Sequence, residues 1–390
     1  MRAPYTEWGA EHPVLSALPL PRSNRPTAAV IDLSALEQNV QVAKQRAGGR
    51  KILAVVKAGA YGHGAIEVSR RLLALGVDML GVALIEEGRE LREAGIDAPL
   101  LVMGAMFPEQ AETTASLNLT PVVYNGAVSQ ALARAAKKLG TRVSVHVKID
   151  TGMGRIGVVP EEAPRVIAAM KADGLEVQGL MTHFADADLV DKRFASSQMD
   201  RFETLIRALE AKGIVVPVRH AANSAAVLDF SRALFTMVRP GLMLYGYSPL
   251  EEGTADAVLR PVLSLVTRIA FLKKVPAGVP ISYGRTFVTK RESLIATLPI
   301  GYADGYSRRL SNKGEVLVRG ARVPVVGRVC MDMCMVDVTD VAGVNEGDDV
   351  VLIGAQGSER ITADEIAKIT GTIAYEVLCG ISSRVPRIYL

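Results

Sequence analysis

Apolar residues recur along this chain in two rhythms. Between residues 51 and 246, short continuous runs, partly β-branched, alternate with stretches whose apolar positions return every three or four residues. The runs cover 51–58, 78–84, 100–104, 120–124, 143–150, 176–185, 218–224 and 237–246. Runs of this kind predict strands buried on both faces, as in a parallel sheet. Segments between them, such as 127–139 and 198–212, carry the helical period. Eight such units predict an α/β fold in which a TIM-like (β/α)8 barrel closes on itself. A doubly wound sheet would call for a Gly-x-Gly-x-x-Gly turn after the first strand, and that turn is absent.

The rhythm changes near residue 250. A polar linker, 249–257, leads into β-rich runs at 263–272, 293–299, 315–318, 322–329, 334–337 and 349–353, separated by Gly, Pro and Asp. One helix is predicted at 362–370, with Thr362 as its N-cap. This reads as a smaller, mainly-β C-terminal domain. A leftover run, 27–33, precedes the barrel pattern and is expected to join the second domain. Ser34 follows it and opens a capping-box sequence, Ser-Ala-Leu-Glu. The expected domains are an irregular extension at 1–27, a barrel at 28–255 and a β-rich domain at 256–390.

Composition narrows the function classes. A net charge of +4 over 390 residues, with basic clusters no longer than pairs such as Lys273-Lys274, gives no nucleic-acid groove. Cys330, Cys334 and Cys379 are odd in number and form no Cys-x-x-Cys, so a disulfide framework or a zinc site is not expected. Free thiols in a reducing cytoplasm are the simplest account. Residues 1–27 show no cationic start followed by an apolar core, so no signal peptide is read there, and no apolar run approaches a membrane span.

Chemistry gathers where the predicted strands end. Lys57 closes the first run and opens into Ala58-Gly59-Ala60-Tyr61-Gly62-His63-Gly64. An ammonium leaving an apolar strand end is poorly solvated, which lowers its pKa and suits its amine to condensation with an aldehyde cofactor. The plain alternative is a surface lysine capping a strand. Lys148 and Asp150 end the fifth run, ahead of Thr151-Gly152-Met153-Gly154-Arg155; His183 ends the sixth; Asn223 and Ser224 end the seventh; Arg239, Gly241 and Leu242 lie in the eighth. Singly, His183 could be a satisfied core histidine, Arg239 an ion-pair partner and Ser224 a helix cap. Converging on one barrel rim, they are hard to explain as packing, because buried polar groups are costly unless paired.

These segments resemble the alanine racemase family over residues 28–390. The resemblance rests on 54–64, Asp150-Thr-Gly-Met-Gly-Arg155-Ile-Gly157, Thr182-His-Phe-Ala185 and Arg239-Pro-Gly-Leu-Met-Leu-Tyr-Gly246. In the second domain it rests on Ser282-Tyr283-Gly284, Ile300-Gly-Tyr302-Ala-Asp304-Gly305, Gly327-Arg-Val-Cys-Met331-Asp332, and Tyr375-Glu-Val-Leu-Cys379 through Arg384-Val-Pro-Arg387. The chain departs from the pattern at Gly59, where the family usually has Asn.

The resemblance implies pyridoxal 5'-phosphate held covalently by Lys57. Its phosphate would meet Ser224, Gly241, Leu242, Tyr61 and Tyr375, with Asn223 beside them. Arg239 would face the pyridine nitrogen, and since arginine keeps its proton the ring would stay a weak electron sink. Arg155 would contact the ring oxygen and the substrate carboxylate, oriented by Lys148, whose family counterpart is often carbamylated. The resemblance also implies two bases, Lys57 and Tyr283, on opposite faces of Cα. His183, beside Arg239, would tune Tyr283. Met331 would give a backbone N–H to the substrate carboxylate. Tyr302 and Tyr375 would narrow the entrance, with Asp188, Arg308 and Arg328 further out.

Tyr283 and Met331 would come from the partner of a homodimer. The implied reaction is the interconversion of L- and D-alanine, the latter a precursor of cell-wall peptide, with small substrates favoured because Tyr375 and Met331 crowd the space beyond Cα. Rival readings are a broader amino-acid racemase, a pyridoxal-phosphate decarboxylase of the same architecture, and a non-catalytic carrier. The decarboxylase motifs Glu-Pro-Gly-Arg and His-x-Gly-Ser are absent, and a carrier of this fold is usually a lone barrel.

Overall fold

The computed structural model describes residues 25–250 and 257–390. Most of the expected extension at 1–27 and most of the 249–257 linker lie outside the described residues. Two compact units divide the chain. One contains Leu36–Ala60 and the stretch from Ala65 to Leu259; the other contains Tyr61–Gly64, Arg260–Leu390 and, of the described N-terminal residues, 25–35.

The first unit is the predicted barrel. Its strands, in chain order, are β2 (Lys51–Val55), β3 (Met79–Val82), β4 (Leu100–Val102), β5 (Thr120–Val123), β6 (Ser144–Lys148), β7 (Glu176–Met181), β8 (Val218–His220) and β9 (Met237–Val238). All pair in parallel, β2 with both β3 and β9 and the others in sequence. The ring closes between β8 and β9, where the Thr236 and Arg239 N–H groups donate to the Arg219 and Ala222 carbonyls at 3.1 and 2.9 Å. Residues such as Leu53, Leu80, Leu101, Val123, Val147 and Leu180 are buried, as strands covered on both faces require. Helices fall between strands as the periodicity predicts. Gly126–Leu139 starts at Asn125, whose Oδ1 accepts from the Val128 N–H at 2.9 Å, and stops at Gly140 with φ +64°. Arg193–Ala211 buries Met199, Phe202, Leu205 and Leu209.

The strands are shorter than the apolar runs, always at the C-terminal end. The runs 51–58, 176–185, 218–224 and 237–246 continue past their strands because the residues carrying the chemistry peel away from the sheet. Lys57 starts a turn, Asn223 caps the helix Ser224–Asp229, and Gly241 precedes the 3-10 turn Leu242–Tyr245.

In the second unit, β1 (Ala28–Ile31) lies between β10 (Leu263–Arg268), antiparallel, and Arg387–Tyr389, parallel. The run ahead of the barrel therefore does join this unit's sheet. That sheet continues through Asp349–Gln356 and Glu315–Val318 to Ala321–Pro324. A second sheet holds Phe271–Val275, Ser293–Leu298 and Cys334–Asp337. Several details differ from the sequence reading. The run 263–272 is two strands in two sheets, because Ile269 N–H donates to Asp348 and Ala270 N–H to Thr297 of the other sheet. The run 322–329 is broken after Pro324, which lacks an N–H, and at Gly327 with φ +75°. The helix after β1 begins at Leu33 and is capped by Asp32, not Ser34: Asp32 Oδ1 accepts from the N–H groups of Ser34 and Ala35 at 2.8 and 3.0 Å. Thr362 caps Ala363–Thr370 as expected, and a further helix, Ala374–Cys379, had no periodic signal long enough to read.

Two glycines separate backbone strain from crowding. A Cβ on Gly157 (φ +141°) would lie 2.6 Å from the Asp150 nitrogen, whereas Gly140 faces open space. Gly140→Ala should cost about 1 kcal/mol, the left-handed penalty alone, and Gly157→Ala about 3 kcal/mol or more, since strain and overlap add. Urea denaturation of the two variants measures both, and the reverse ranking would contradict this assignment.

Candidate active site at the strand ends of the barrel

Lys57 stands at the head of an unusual turn. Ala58, Gly59 and Ala60 have φ/ψ of 52/50°, 62/40° and 54/51°, and Tyr61 continues with φ 54°. This is a short left-handed helix, strained for every residue but glycine. Asn and Gly are the residues that tolerate this region best, so Gly59 suits the conformation in which the family usually carries Asn. The turn is tied down at its start. The Ala60 N–H donates to the Val56 carbonyl at 2.8 Å, and the Ala58 N–H donates to Glu87 Oε1 at 2.6 Å. Glu87 Oε2 also accepts from Ala83 and Leu84, at the start of the helix Ile85–Glu93. Sequence reasoning missed Glu87, because a first-turn glutamate is ordinary helix chemistry. The end of β2 is also held by Tyr245, whose buried hydroxyl donates to the Val55 carbonyl at 2.9 Å.

Arg239 lies at the centre of the rim. It is 3% exposed, and among the described residues no carboxylate pairs with it. Its Nη2 donates to the carbonyls of Thr182 and Ala221 at 2.9 and 3.0 Å and contacts His183 Nδ1 at 3.2 Å; its Nη1 contacts His220 Nδ1 at 3.1 Å. Burial pulls its pKa down to about 9, so the cation persists at neutral pH. Because guanidinium only donates, both imidazoles must present lone pairs through Nδ1. His220 Nε2 then carries the hydrogen that bridges 2.8 Å to His146 Nδ1. The two rings meet edge to face at 4.8 Å.

His146 and His220 are functional-site residues that the sequence reading left unassigned. The available signal was a histidine inside the apolar run Val145-His146-Val147. The sheet makes room for it: the β6–β7 register slips between Val145 and His146, and His146 then faces Gly179. A Cβ there would stand 2.6 Å from the imidazole. Burial, supplemented by Arg239, lowers the pKa of His146 to about 4, partly offset by its hydrogen bond to Gln178. Burial and neighbouring cations also hold His183 and His220 well below the usual imidazole range. The cations that act on His183 are Arg239, Lys148, Arg155 and Lys57.

Lys148 is buried, and its Nζ donates to the Ile149 carbonyl at 3.2 Å. Burial, then Arg239, lower its pKa to about 7, against a small opposing effect of Asp150. Arg155 is exposed on a loop rooted by reciprocal bonds between Lys148–Asp150 and Val158. Asp150 Oδ1 accepts from the Gly152 and Gly154 N–H groups at 3.0 and 3.1 Å, which shapes the loop. Across the rim, Asn223 Oδ1 caps the helix Ser224–Asp229 by accepting from Ala226 at 3.1 Å. Ser224 Oγ accepts from the N–H groups of Gly241 and Met243 at 2.8 and 3.3 Å, and the Leu242 N–H lies between these in the chain. A hydroxyl that accepts twice keeps its own proton to give.

The remaining predicted residues belong to the second unit. Tyr61 and Tyr375 have ring centroids 6.0 Å apart, and burial, then Tyr375 and Cys379, raise the Tyr61 pKa. A Cβ on Gly62 would stand 2.2 Å from the Leu378 carbonyl, so Tyr61 is fixed by backbone contact with the helix carrying Tyr375. Tyr283 sits on a turn between two left-handed residues, Ser282 (φ 67°) and Gly284 (φ 71°), with Ser282 Oγ donating to the Arg328 carbonyl at 2.6 Å. Tyr283, Tyr302 and Met331 are exposed in the single chain, at 71%, 41% and 53%.

The three cysteines form no disulfide. Among the described residues no His/Cys/Asp/Glu cluster is placed to hold a metal, and no helix is long and apolar enough to cross a membrane.

An amine on a strained turn, a hydroxyl-and-amide seat at a helix start and a buried guanidinium make an electropositive rim suited to an anionic aldehyde cofactor. Comparison with known proteins agrees with that chemistry. Residues 31–249 match the family model of the alanine racemase N-terminal domain, and residues 262–389 that of the C-terminal domain. The alanine racemase of Halothermothrix orenii is 49% identical over 370 residues, 94% of this chain and 98% of that protein. That of Carboxydothermus hydrogenoformans is 47% identical over 94% of this chain and 100% of its own length. Among solved structures, alanine racemase of Clostridium difficile 630 has a TM-score of 0.89 at 40% identity, covering 94% of this chain and 96% of that one. The Bacillus anthracis alanine racemase with bound L-Ala-P has a TM-score of 0.90 at 39% identity, covering 95% and 96%. With both domains matched in order, this chain belongs to the alanine racemase family.

Proposed function

We propose that the chain is a pyridoxal-phosphate-dependent racemase that interconverts L- and D-alanine, working as a cytoplasmic homodimer and supplying D-alanine for peptidoglycan. The observation that carries this reading is the buried Arg239, with no carboxylate partner among the described residues, on the same rim as Lys57. A decarboxylase of the same architecture, which would set a carboxylate in that place, is not favoured.

Pyridoxal phosphate, held through Lys57, supplies an electron-withdrawing ring that acidifies the Cα proton of a bound amino acid. The residues do the rest. Ser224 would donate a hydrogen bond from its hydroxyl to the phosphate, with the backbone of Gly241 and Leu242 beside it, and Tyr61 and Tyr375 are the phenols that would serve the same group; Asn223 holds that helix start in shape. Arg239 would donate to the pyridine nitrogen and so keep it from gaining a proton. Arg155 would pair with the ring oxygen and the substrate carboxylate, for which its planar fork is suited.

Lys57 Nζ, freed when the substrate's amino group takes its place on the cofactor, would move the Cα proton on one face. On the other, the Tyr283 hydroxyl of a partner subunit does so, steadied by the Nε2–H of His183, whose Nδ1 is committed to Arg239. Met331 of that partner donates its N–H to the substrate carboxylate and, with Tyr375 and Tyr302, limits the side chain to about the size of a methyl group. Exposure of Tyr283, Met331 and Tyr302 in the single chain supports a partner covering them. Lys148, neutral above about pH 7, would add carbon dioxide at its amine and release one proton to solvent, and the resulting carbamate would orient Arg155.

A chiral assay with L-alanine should yield D-alanine when pyridoxal phosphate is supplied, and Lys57→Ala should lower the rate by about a thousandfold or more. Undiminished turnover by the variant would refute the role of Lys57. Tyr283→Phe should slow Cα exchange in deuterated water by about a hundredfold or more for one enantiomer and far less for the other. The two rates must be followed separately, since overall interconversion is bound by the equilibrium constant, and a small matched effect would remove Tyr283 as a base. In 13C-bicarbonate, a protein carbamate signal should grow as pH rises through about 7, because only the neutral Lys148 amine reacts. The signal should vanish in Lys148→Ala; its absence from the parent protein would exclude the modification.

A further inference from the structure

We propose that Arg25 is a positioning residue for the substrate carboxylate, acting through Asp304 on the turn that carries Tyr302 and touches Met331. The proposal rests on the reading of Met331 as the substrate's N–H donor.

Asp304 has a side chain with no solvent exposure. Arg25 binds it as a fork, Nη1 to Oδ1 at 2.7 Å and Nη2 to Oδ2 at 2.6 Å, and the Gly301 N–H donates to Oδ2 at 3.0 Å. Arg25 Nη2 also donates to the Pro299 carbonyl at 2.7 Å, which Thr27 Oγ1 shares at 2.9 Å. One guanidinium thus clamps the segment 299–304 at both ends. The clamp is anchored, because Arg25 leads into β1, which pairs with β10 from Ala28↔Val266 onward.

Between the clamped ends lies Tyr302, and two backbone bonds join the turn to the Met331 loop. The Tyr302 and Ala303 N–H groups each donate at 3.0 Å, to the carbonyls of Cys330 and Met331. Gly301 is so close that a Cβ on it would lie 2.3 Å from the Cys330 oxygen and 2.4 Å from the Met331 oxygen. No side chain cushions the two segments, so a displaced turn moves the Met331 backbone with it. On the far side, Arg384 donates to Asp332, the residue after Met331, at 2.8 Å, and its Nε lies 3.7 Å from Asp304 Oδ1. The Met331 loop is therefore bordered on both sides by groups that converge on Asp304.

A purely structural ion pair would also be costly to break, so the test must read substrate carboxylate recognition. The holoenzyme is assayed for Cα exchange with alanine and with alaninamide, which lacks the carboxylate. Arg25→Lys keeps the charge but loses the fork. It should raise KM for alanine about tenfold with kcat nearly unchanged, as for a weakened bond to a charged group. The alanine-to-alaninamide ratio of kcat/KM should fall by a similar factor. Arg25→Met should do the same more strongly and lower the melting temperature; adding Asp304→Asn should restore melting but not the ratio.

Met331→Pro, which deletes the N–H in question, separates the two layers of the argument. If it lowers the ratio while Arg25→Lys and Arg25→Met leave the ratio unchanged, the Arg25 proposal falls and the Met331 reading stands. An unchanged ratio in Met331→Pro overturns both. Equal losses on the two substrates in the Arg25 variants would reduce the clamp to a stability element and also overturn the proposal.

Discussion

A buried cation with no counter-carboxylate among the described residues organises the barrel rim. Taking a guanidinium out of water is expensive, and the usual remedy is an acidic partner. Arg239 is instead held by two carbonyls and two imidazole nitrogens. These ligands are weaker than a carboxylate and do not cancel the charge. The field of Arg239 therefore reaches its neighbours, adding to desolvation in lowering the pKa values of His146, Lys148, His183 and His220. A rim with uncancelled positive charge favours anions, the phosphate and carboxylates of cofactor and substrate.

Holding these groups required local departures from regular structure. The barrel admits His146 by setting Gly179 opposite it and slipping one register. The amine of Lys57 is presented by a left-handed turn whose alanines carry strain, opposed by the hydrogen bonds to Val56 and Glu87. Arg155 rides on a loop that exists because Asp150 gathers the N–H groups of two glycines and because Gly157 can pass beneath it. The regular parts of the fold fix where the strands end, and the irregular parts decide which atom each strand end offers.

This division sets what could be read from the sequence. The eight barrel strands were legible because burial on both faces leaves continuous apolar runs, and Lys57, Ser224 and Arg239 were legible as polar residues at the ends of those runs. Strand ends were overextended, since residues such as Ala221, Ala222 and Leu242 are apolar and buried without being in the sheet. The split of the run 263–272 is invisible in composition, because the chain changes sheets without a change of residue type. Glu87, His146 and Gly179 escaped for another reason: each is ordinary in its local context and matters only through a partner far away in the chain.

The imidazoles around Arg239 look like a proton relay, but their chemistry argues for a fixed scaffold. Arg239 obliges His183 and His220 to accept through Nδ1, and His220 in turn obliges His146 to accept through its own Nδ1. Each ring's remaining nitrogen then carries the proton, so every tautomer follows from one donor that never titrates at neutral pH. A relay must also bind an extra proton in passing, and the lowered pKa values oppose this at every ring. The histidines thus orient the guanidinium and pass on its polarity without storing protons. Proton transfer at Cα must then fall to groups outside this array, which is the requirement that an amine on one face and a phenol on the other would meet.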